Sequence, residues 1–380
     1  MRIVIVSETA EPSLNGVAVA VGKIFDDLEH RHEIYILTAG VRNYIEKNPT
    51  HISRFPSCTW FGPNDYPIVL PGSTSSIREK LQEIKPDVIH FQHSLGFLSN
   101  PVMDYAIENN IPMVVTYHTL LKSYAFPGAK WFAVHASTKF CNRCDQVVAP
   151  SNPMKEILLG YGVTKPITVI PTGINPEDYA HPFTREELLA KWGVPKDKHL
   201  LLYLSRVAKE KNLELLFAAI ERLQRKRNDF HLLLAGGGPE LKKYQKLAKK
   251  MGIDGVIAFT GKLPKEVANR VFGAAYIFTF PSITETQGIV IAEAMIAGVP
   301  AIAPDVMGQK DIIVNDENGY LTHQTVEDFT AKIELLLDNK DLRNKLAEQA
   351  KISAHKFEQT VTCAKMEKTY EQTIRDHHGS

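Results

Sequence analysis

Short β-rich runs alternate with helical stretches along almost the whole chain, in two separate series. The first runs from Ile3–Ser7 through the helix-like Gly16–Leu28, Val88–Phe91 and Met113–Tyr117 to Thr168–Ile170. The second runs from His199–Ser205 through Leu213–Arg225, His231–Ala235 and Tyr276–Phe280 to Ala301–Ala303. Such alternation builds a parallel sheet with helices on both faces, because each strand must be carried back to the starting edge by a crossover. Between the series, Pro171–Pro176 reads as a hinge. The stretch from about Glu46 to Ser76, rich in Pro, Gly, Ser and aromatics, breaks the rhythm and is expected as a long loop with short strands. Roughly Asp341 to Asp376 is helical and charged.

The expected fold class is therefore α/β, with two Rossmann-like domains that bind ligands at the carboxyl ends of their strands. A chain of 380 residues gives each domain enough material for its own core. With 44% apolar and 23% charged residues the composition is that of an ordinary globular protein. The net charge of +1 carries no global pull toward nucleic acid or membrane, so no nucleic-acid partner is expected. Apolar runs are short, and Met1–Ser7 reads as a first strand rather than a signal peptide, which predicts a cytoplasmic protein. Cys141 and Cys144 have the spacing of half a zinc site, but no second pair stands at ligand-like spacing; free thiols are expected at all four cysteines.

The segment Pro281–Pro300 carries the most chemistry. An apolar strand leads into a turn containing Glu285, Thr286 and Gln287, and a helix then opens at Gly288 with Glu293 eight positions after Glu285. The N–H groups of Gly288, Ile289 and Val290 form a helix N-terminus, where unpaired donors and the helix dipole favour an anion. Carboxylates repel phosphate, so the two glutamates suit neutral hydroxyls of a molecule whose phosphates sit on the amides between them. A nucleotide sugar has that layout. The competing reading is a plain strand–turn–helix unit with a solvated cap and a surface charge.

Other strand ends extend the pattern. Arg206 and Lys211 follow a strand and precede a helix, where two cations can neutralise a diphosphate; a solvated basic loop is the alternative. Gly236, Gly237 and Gly238 lie between a strand and a helix, which allows close backbone approach to a nucleotide or simply a tight turn. Lys262 ends the next strand. In the first half, Asn15–Gly16 opens helix one, and His118 and His93 each follow a strand.

Together these residues resemble the Glu-x7-Glu signature of retaining GT-B glycosyltransferases (glycosyltransferase family 4). Asn15–Gly16–Val17, His90/His93 and Tyr117–His118–Thr119 are most similar to diacylglycerol glucosyltransferases. The resemblance implies two Rossmann-like domains facing across a cleft: an acceptor-side domain over 1–174, a linker over 175–198, a nucleotide-sugar domain over 199–355, and a terminal helix over 356–380 returning to the first domain. It implies that Glu285 contacts the transferred sugar, Glu293 the ribose, and Arg206 and Lys211 the diphosphate. Gly16, Gly237, Lys262, Thr286, Gln287, Gly288, Ile289 and Val290 complete the donor site. His118 would hydrogen-bond the sugar and act with Glu285 in catalysis, with Asn15 and His93 on the acceptor side. No cofactor is implied beyond the nucleotide-sugar co-substrate.

The chain has no Asp-x-Asp, so metal-independent transfer is expected, with leaving-group charge met by Arg206, Lys211 and helix N-termini. No carboxylate nucleophile of the glycosidase type is evident. The family proposal is departure and attack on one face of the sugar, the leaving diphosphate taking the acceptor's proton.

The stretch Asn109–Cys144 lacks acidic residues but holds Lys122, Lys130, Lys139 and Arg143 among Tyr124, Phe126, Trp131 and Phe132. It suits peripheral contact with an anionic membrane on its inner face through 122–143. The expected activity is transfer of a hexose, glucose from UDP-glucose, to a lipid hydroxyl such as that of diacylglycerol. Leu120–Tyr124 departs from the lipid-acceptor pattern, which keeps a soluble acceptor as the alternative; a non-catalytic sugar-nucleotide sensor is the other.

Overall fold

A computed structural model of the chain describes residues 1–13, 15–59, 67–93, 96–118 and 129–379. Two compact units emerge, one of Met1–Gly173 with Gln359–Ser380 and one of Ile174–Glu358.

The first unit is built on strands β1 (Arg2–Val6), β2 (Glu33–Ala39), β3 (Ile52–Phe55), a two-stranded antiparallel pair β4 (Ser57–Thr59) and β5 (Pro67–Val69), then β6 (Val88–Gln92), β7 (Met113–Thr116), β8 (Gln146–Ala149) and β9 (Ile167–Val169). Seven of them form one parallel sheet in the order β3-β2-β1-β6-β7-β8-β9. Strand order reverses between β1 and β6, and loops leaving the C-terminal ends there diverge.

Residue parity decides which side chains share a face, since successive Cβ atoms alternate across a strand. Ile3, Ile5, Val88 and Val114 pack under Val21 and Phe25 of the helix Gly16–Leu28 and under Met366 and Tyr370 of the helix Gln359–Gly379. Val4, Ile89, Phe91 and Val115 pack on the opposite face, under Ile77, Val102, Phe140 and Leu158. The helix Gly16–Leu28 starts where it does because the Asn15 side chain accepts a hydrogen bond from Ala18 N–H at 2.9 Å. The terminal helix is tied to it by Gln359 Nε2–H, which donates to Lys23 O at 3.1 Å.

The second unit holds β10 (His199–Leu204), β11 (Phe230–Ala235), β12 (Ile257–Gly261), β13 (Ile277–Thr279), β14 (Ala301–Pro304) and β15 (Gly319–Thr322), all parallel in the order β12-β11-β10-β13-β14-β15. Its reversal lies between β10 and β13.

Residues 175–198, expected from the sequence as a linker, are an integral part of this unit. They form a 3₁₀ turn Pro176–Tyr179 and a helix Arg185–Trp192 with a full capping box at Thr184 and Glu187. Tyr179, Phe183, Leu188 and Val194 are buried in the unit's core, which is why the segment is ordered. The charged C-terminal stretch is two helices, Lys340–Ala354 and Gln359–Gly379, broken at His355–Phe357 where the chain passes between units.

Deleting a buried side chain on the terminal helix removes contacts with the first unit's sheet. Met366→Ala is expected to destabilise that unit by about 2–5 kcal/mol, measured from its denaturant unfolding midpoint.

Candidate active site

In the second unit, two loops meet at the reversal point. The loop after β10 carries Arg206, a short 3₁₀ turn Lys209–Lys211, and Asn212 in the left-handed region at φ 52°. The loop after β13 carries Phe280 to Gly288. Lys211 Nζ pairs with Glu285 Oε1 across the gap, and both side chains are largely buried, 14% and 17% exposed. Ser282 Oγ–H donates to the same carboxylate oxygen at 2.7 Å, and Asn212 Nδ2–H donates to Pro281 O at 3.3 Å. Gln309 Nε2–H then donates to Ser282 O at 2.7 Å, and Gly308 N–H to Glu285 O at 3.1 Å. Glu285 is thus fixed from the side chain and from the backbone, which is what a group that must point at one substrate atom requires.

Gly288 caps the helix Ile289–Ile296 in the left-handed region at φ 80°, a conformation that strains any residue with a Cβ. Ile289 and Val290 therefore begin the helix beside Glu285, with their N–H groups at its positive end. One helical stretch further on, Glu293 accepts a hydrogen bond from Tyr179 O–H at 2.8 Å. Burial, then the Glu293 charge, pushes the Tyr179 phenol far up, so it stays a donor. Tyr179 was missed in the sequence because it lies 114 residues from its partner, in the segment assigned to a linker.

Arg206 is half exposed and pairs with Glu210. Its loop rests on the glycine turn. A Cβ on Gly236 would meet Ser205 O at 1.9 Å, and one on Gly238 would meet Val207 O at 2.2 Å. Val207 N–H donates to Gly237 O at 2.8 Å and Glu240 N–H to Val207 O at 3.2 Å. Close backbone approach is thus required at this turn by the chain's own Ser205–Val207 segment. Gly237 lies against Lys262, whose Cβ would be 2.9 Å from an added Cβ.

In the first unit, His118 stands two residues beyond β7 and is half-buried. Its Nε2–H donates to Gln92 Oε1 at 2.6 Å, from the last residue of β6. Burial pushes the imidazole down to about 4, so it is neutral at physiological pH. Beneath it a cavity of about 30 Å³ is lined by Lys23, Gln92, Thr116, Cys363 and Met366 among others. His93 lies close enough to His118 for the two charges to oppose each other, but on the opposite face of the sheet. Odd-numbered along β6, it faces the other side of the sheet, its ring 4.5 Å from that of Tyr117 and 5.7 Å from that of Phe140. Asn15 spends its side-chain oxygen on capping helix Gly16–Leu28, and a Cβ on Gly16 would meet nothing within 4 Å. All four cysteines are free, and Cys141 and Cys144 are buried. Lys122, Tyr124 and Phe126 lie outside the described residues, as does the Lys130 side chain.

A family model described as Glycosyltransferase Family 4 matches residues 14–178, and one described as Glycosyl transferases group 1 matches residues 184–353. The chain belongs to the family 4 GT-B glycosyltransferases. This glycosyltransferase is 29% identical over 316 residues to the alpha-monoglucosyldiacylglycerol synthase of Streptococcus pneumoniae, covering 80% of this chain and 71% of that protein. It is 27% identical over 354 residues to a GDP-mannose-dependent alpha-mannosyltransferase of Corynebacterium glutamicum, covering 89% and 81%. The crystal structure of Anabaena HepE in complex with UDP has the same fold, with a TM-score of 0.81 at 17% identity over 98% of this chain and 100% of that one.

Three histidines held neutral, His90 buried and His93 and His118 partly so, predict that the first unit of this glycosyltransferase is acid-sensitive. In the unfolded chain each takes a proton near pH 6.5, whereas in the fold burial holds His93 and His118 down to about 4 and His90 to about 3. Between those values the unfolded chain binds more protons, so stability falls as pH falls from about 6.5, by up to about 1.4 kcal/mol per pH unit for each histidine. His93→Phe, which suits the surrounding rings, is expected to flatten this slope by one proton when denaturant midpoints at pH 7.5 and 5.0 are compared.

Proposed function

We propose that this glycosyltransferase moves glucose from UDP-glucose to a hydroxyl of a glycerolipid such as diacylglycerol, with retention of anomeric configuration and without a divalent ion. The observation that carries the reading is the Lys211–Glu285 pair at the reversal point, beside the helix that opens at Gly288. Cation, carboxylate and helix N-terminus are the three chemical needs of a nucleotide sugar at one place: a charge for the diphosphate, an acceptor for a sugar hydroxyl, and amides for phosphate oxygens.

In the proposed step, the bond from the anomeric carbon to the diphosphate oxygen breaks, and its electron pair stays on the diphosphate. The acceptor oxygen bonds the anomeric carbon on the same face and its proton passes to the departing phosphate oxygen. Arg206, Lys211 and the N–H groups of Gly288, Ile289 and Val290 stabilise the charge that develops on the leaving group. Glu285 and His118 hydrogen-bond hydroxyls of the transferred sugar, and Glu293, held by Tyr179, takes the ribose. The remaining donor contacts are assigned to Gly16, Gly237, Lys262, Thr286 and Gln287.

The lipid acceptor is supported by the glucosyldiacylglycerol relative and by the helix Ala129–Arg143, where Trp131 and Phe132 are 74% and 68% exposed and Lys139 and Arg143 are also exposed. Exposed aromatics with basic neighbours partition to an anionic interface, so a peripheral position on the inner membrane face is proposed. Among the described residues no helix is long and apolar enough to cross a membrane. The mannosyltransferase relative supports a second donor reading, GDP-mannose.

Nucleoside diphosphate release in EDTA, with phosphatidylglycerol vesicles carrying diacylglycerol or lacking it, tests the reading. Diacylglycerol-dependent release of UDP from UDP-glucose is the expected result. Release from GDP-mannose alone would reassign the donor, and silence with every donor would overturn the enzyme. Glu285→Gln, which keeps the shape of the site, is expected to lower turnover about 100- to 1,000-fold while UDP affinity stays within about threefold.

A further inference from the structure

The even-numbered residues at the ends of β6 and β7 point to one face of the sheet. His90 and Gln92 on β6 and Thr116 and His118 on or just after β7 therefore line up side by side, Gln92 being the direct register partner of Thr116. Only His118 of these four has a part in the function proposed above. The other three, with Tyr370 from the terminal helix, form a buried polar network behind it.

The network runs in one direction. A carbonyl oxygen can only accept, so the 2.6 Å contact between His118 Nε2 and Gln92 Oε1 puts the imidazole proton on Nε2. The other end of the same amide, Gln92 Nε2–H, donates to His90 Nε2 at 3.2 Å. Thr116 Oγ1 is 2.7 Å from that nitrogen, and His90 Nδ1 is 2.7 Å from the Tyr370 hydroxyl. His90 and Tyr370 are fully buried and Gln92 and Thr116 nearly so, which favours a fixed set of partners within the network.

We propose that Gln92 is a positioning residue that holds His118 as the Nε2-protonated neutral tautomer, so that Nδ1 presents a lone pair and accepts a hydrogen bond from a substrate hydroxyl. This rests on the proposed role of His118 toward the transferred sugar. A neutral imidazole can be a donor or an acceptor at a given nitrogen, and only one of the two matches a hydroxyl placed to donate. Without Gln92 the ring would exchange tautomers and rotate, and a fraction of the enzyme would present the wrong atom. Among the described residues, the ionisable groups around the ring are His90 and His93 at the end of β6, Lys23 from the first helix and Cys363 from the terminal helix. None of them is a carboxylate, so nothing among them holds the ring protonated.

Two substitutions separate positioning from mere packing. Gln92→Met removes the acceptor at similar volume. Gln92→Glu keeps an acceptor but adds a negative charge that favours imidazolium, which is raised toward neutral pH. The primary readout is the ¹⁵N–¹H multiple-bond spectrum of histidine-labelled full-length protein, with His118 assigned by its loss in His118→Asn. The expected result is a single Nε2-protonated tautomer in the wild type and averaged tautomers in Gln92→Met. In transfer assays Gln92→Met is expected to lose about 10-fold in kcat, the scale of one hydrogen bond, with UDP affinity unchanged. Gln92→Glu is expected to be impaired at pH 6 and to recover to within a few-fold at pH 8.5, whereas the wild type shows no such rising limb. An Nδ1-protonated ring in the wild type, as a reversed amide would require, overturns the proposal, as does an unchanged tautomer or full kcat in Gln92→Met. The spectrum needs no turnover, so a failed donor screen would count against the transferase reading while leaving the tautomer decided. If Gln92→Met does not fold, the pH dependence of the His118 signals in Gln92→Glu gives the same decision.

Discussion

The ion pair between Lys211 and Glu285 joins the two loops that leave the second unit's sheet at its reversal point. Each side chain sits on a loop that leaves the sheet in a different direction, because strand order reverses between β10 and β13. Largely buried pairs of this kind repay their desolvation only when further hydrogen bonds complete them, and removing one partner strands a charge at a cost of about 3–5 kcal/mol. Ser282 supplies such a bond to the Glu285 carboxylate, while Asn212 and Gln309 hold the backbone of Pro281 and Ser282 beside it. On the function proposed above, the pair is an orientation device: it costs desolvation and presets a cation and a carboxylate for a ligand that carries both phosphate and hydroxyls.

The glycine turn after β11 serves the same end by a different route. Gly236 and Gly238 are needed because the backbone of Ser205–Val207 occupies the space where their side chains would lie. That close approach, with the Val207–Gly237 hydrogen bond, sets the height of the loop that carries Arg206. A backbone shelf under one loop and an ion pair across two loops together fix the cations of the site on rigid strand ends, where sub-ångström placement can be maintained.

Much of this was legible in the sequence because the chemistry is local. Glu285, Gly288 and Glu293 lie within one turn and one helix, and Arg206 and Lys211 within one loop, so strand–loop–helix spacing was enough to group them. What stayed hidden depends on long-range packing. Tyr179 reaches Glu293 from a segment whose Pro and charge content reads as linker, yet whose Phe183, Leu188 and Val194 are core. The helix Thr74–Ile84 overlaps the expected loop only over its first three residues and has no counterpart in the sequence reading, although Ile77, Leu81 and Ile84 at helical spacing signal it. Strand parity was the unused signal for the histidines. His90, Gln92, Thr116 and His118 are even-numbered and share a face, while His93 is odd and packs against Tyr117 on the other. Gln92 itself carries no motif, and only the register of β6 against β7 brings it to His118.

Binding of UDP and GDP to the full-length protein in EDTA, followed by calorimetry for the wild type and for Lys211→Met, tests most directly whether side-chain cations and a helix terminus do the work of a metal at this site. The expected result is a nucleoside diphosphate that binds without any divalent ion and loses at least about tenfold in affinity when the Lys211 charge is removed from a protein that remains folded. Binding that appears only when magnesium or manganese is restored, or that is indifferent to Lys211, would contradict it.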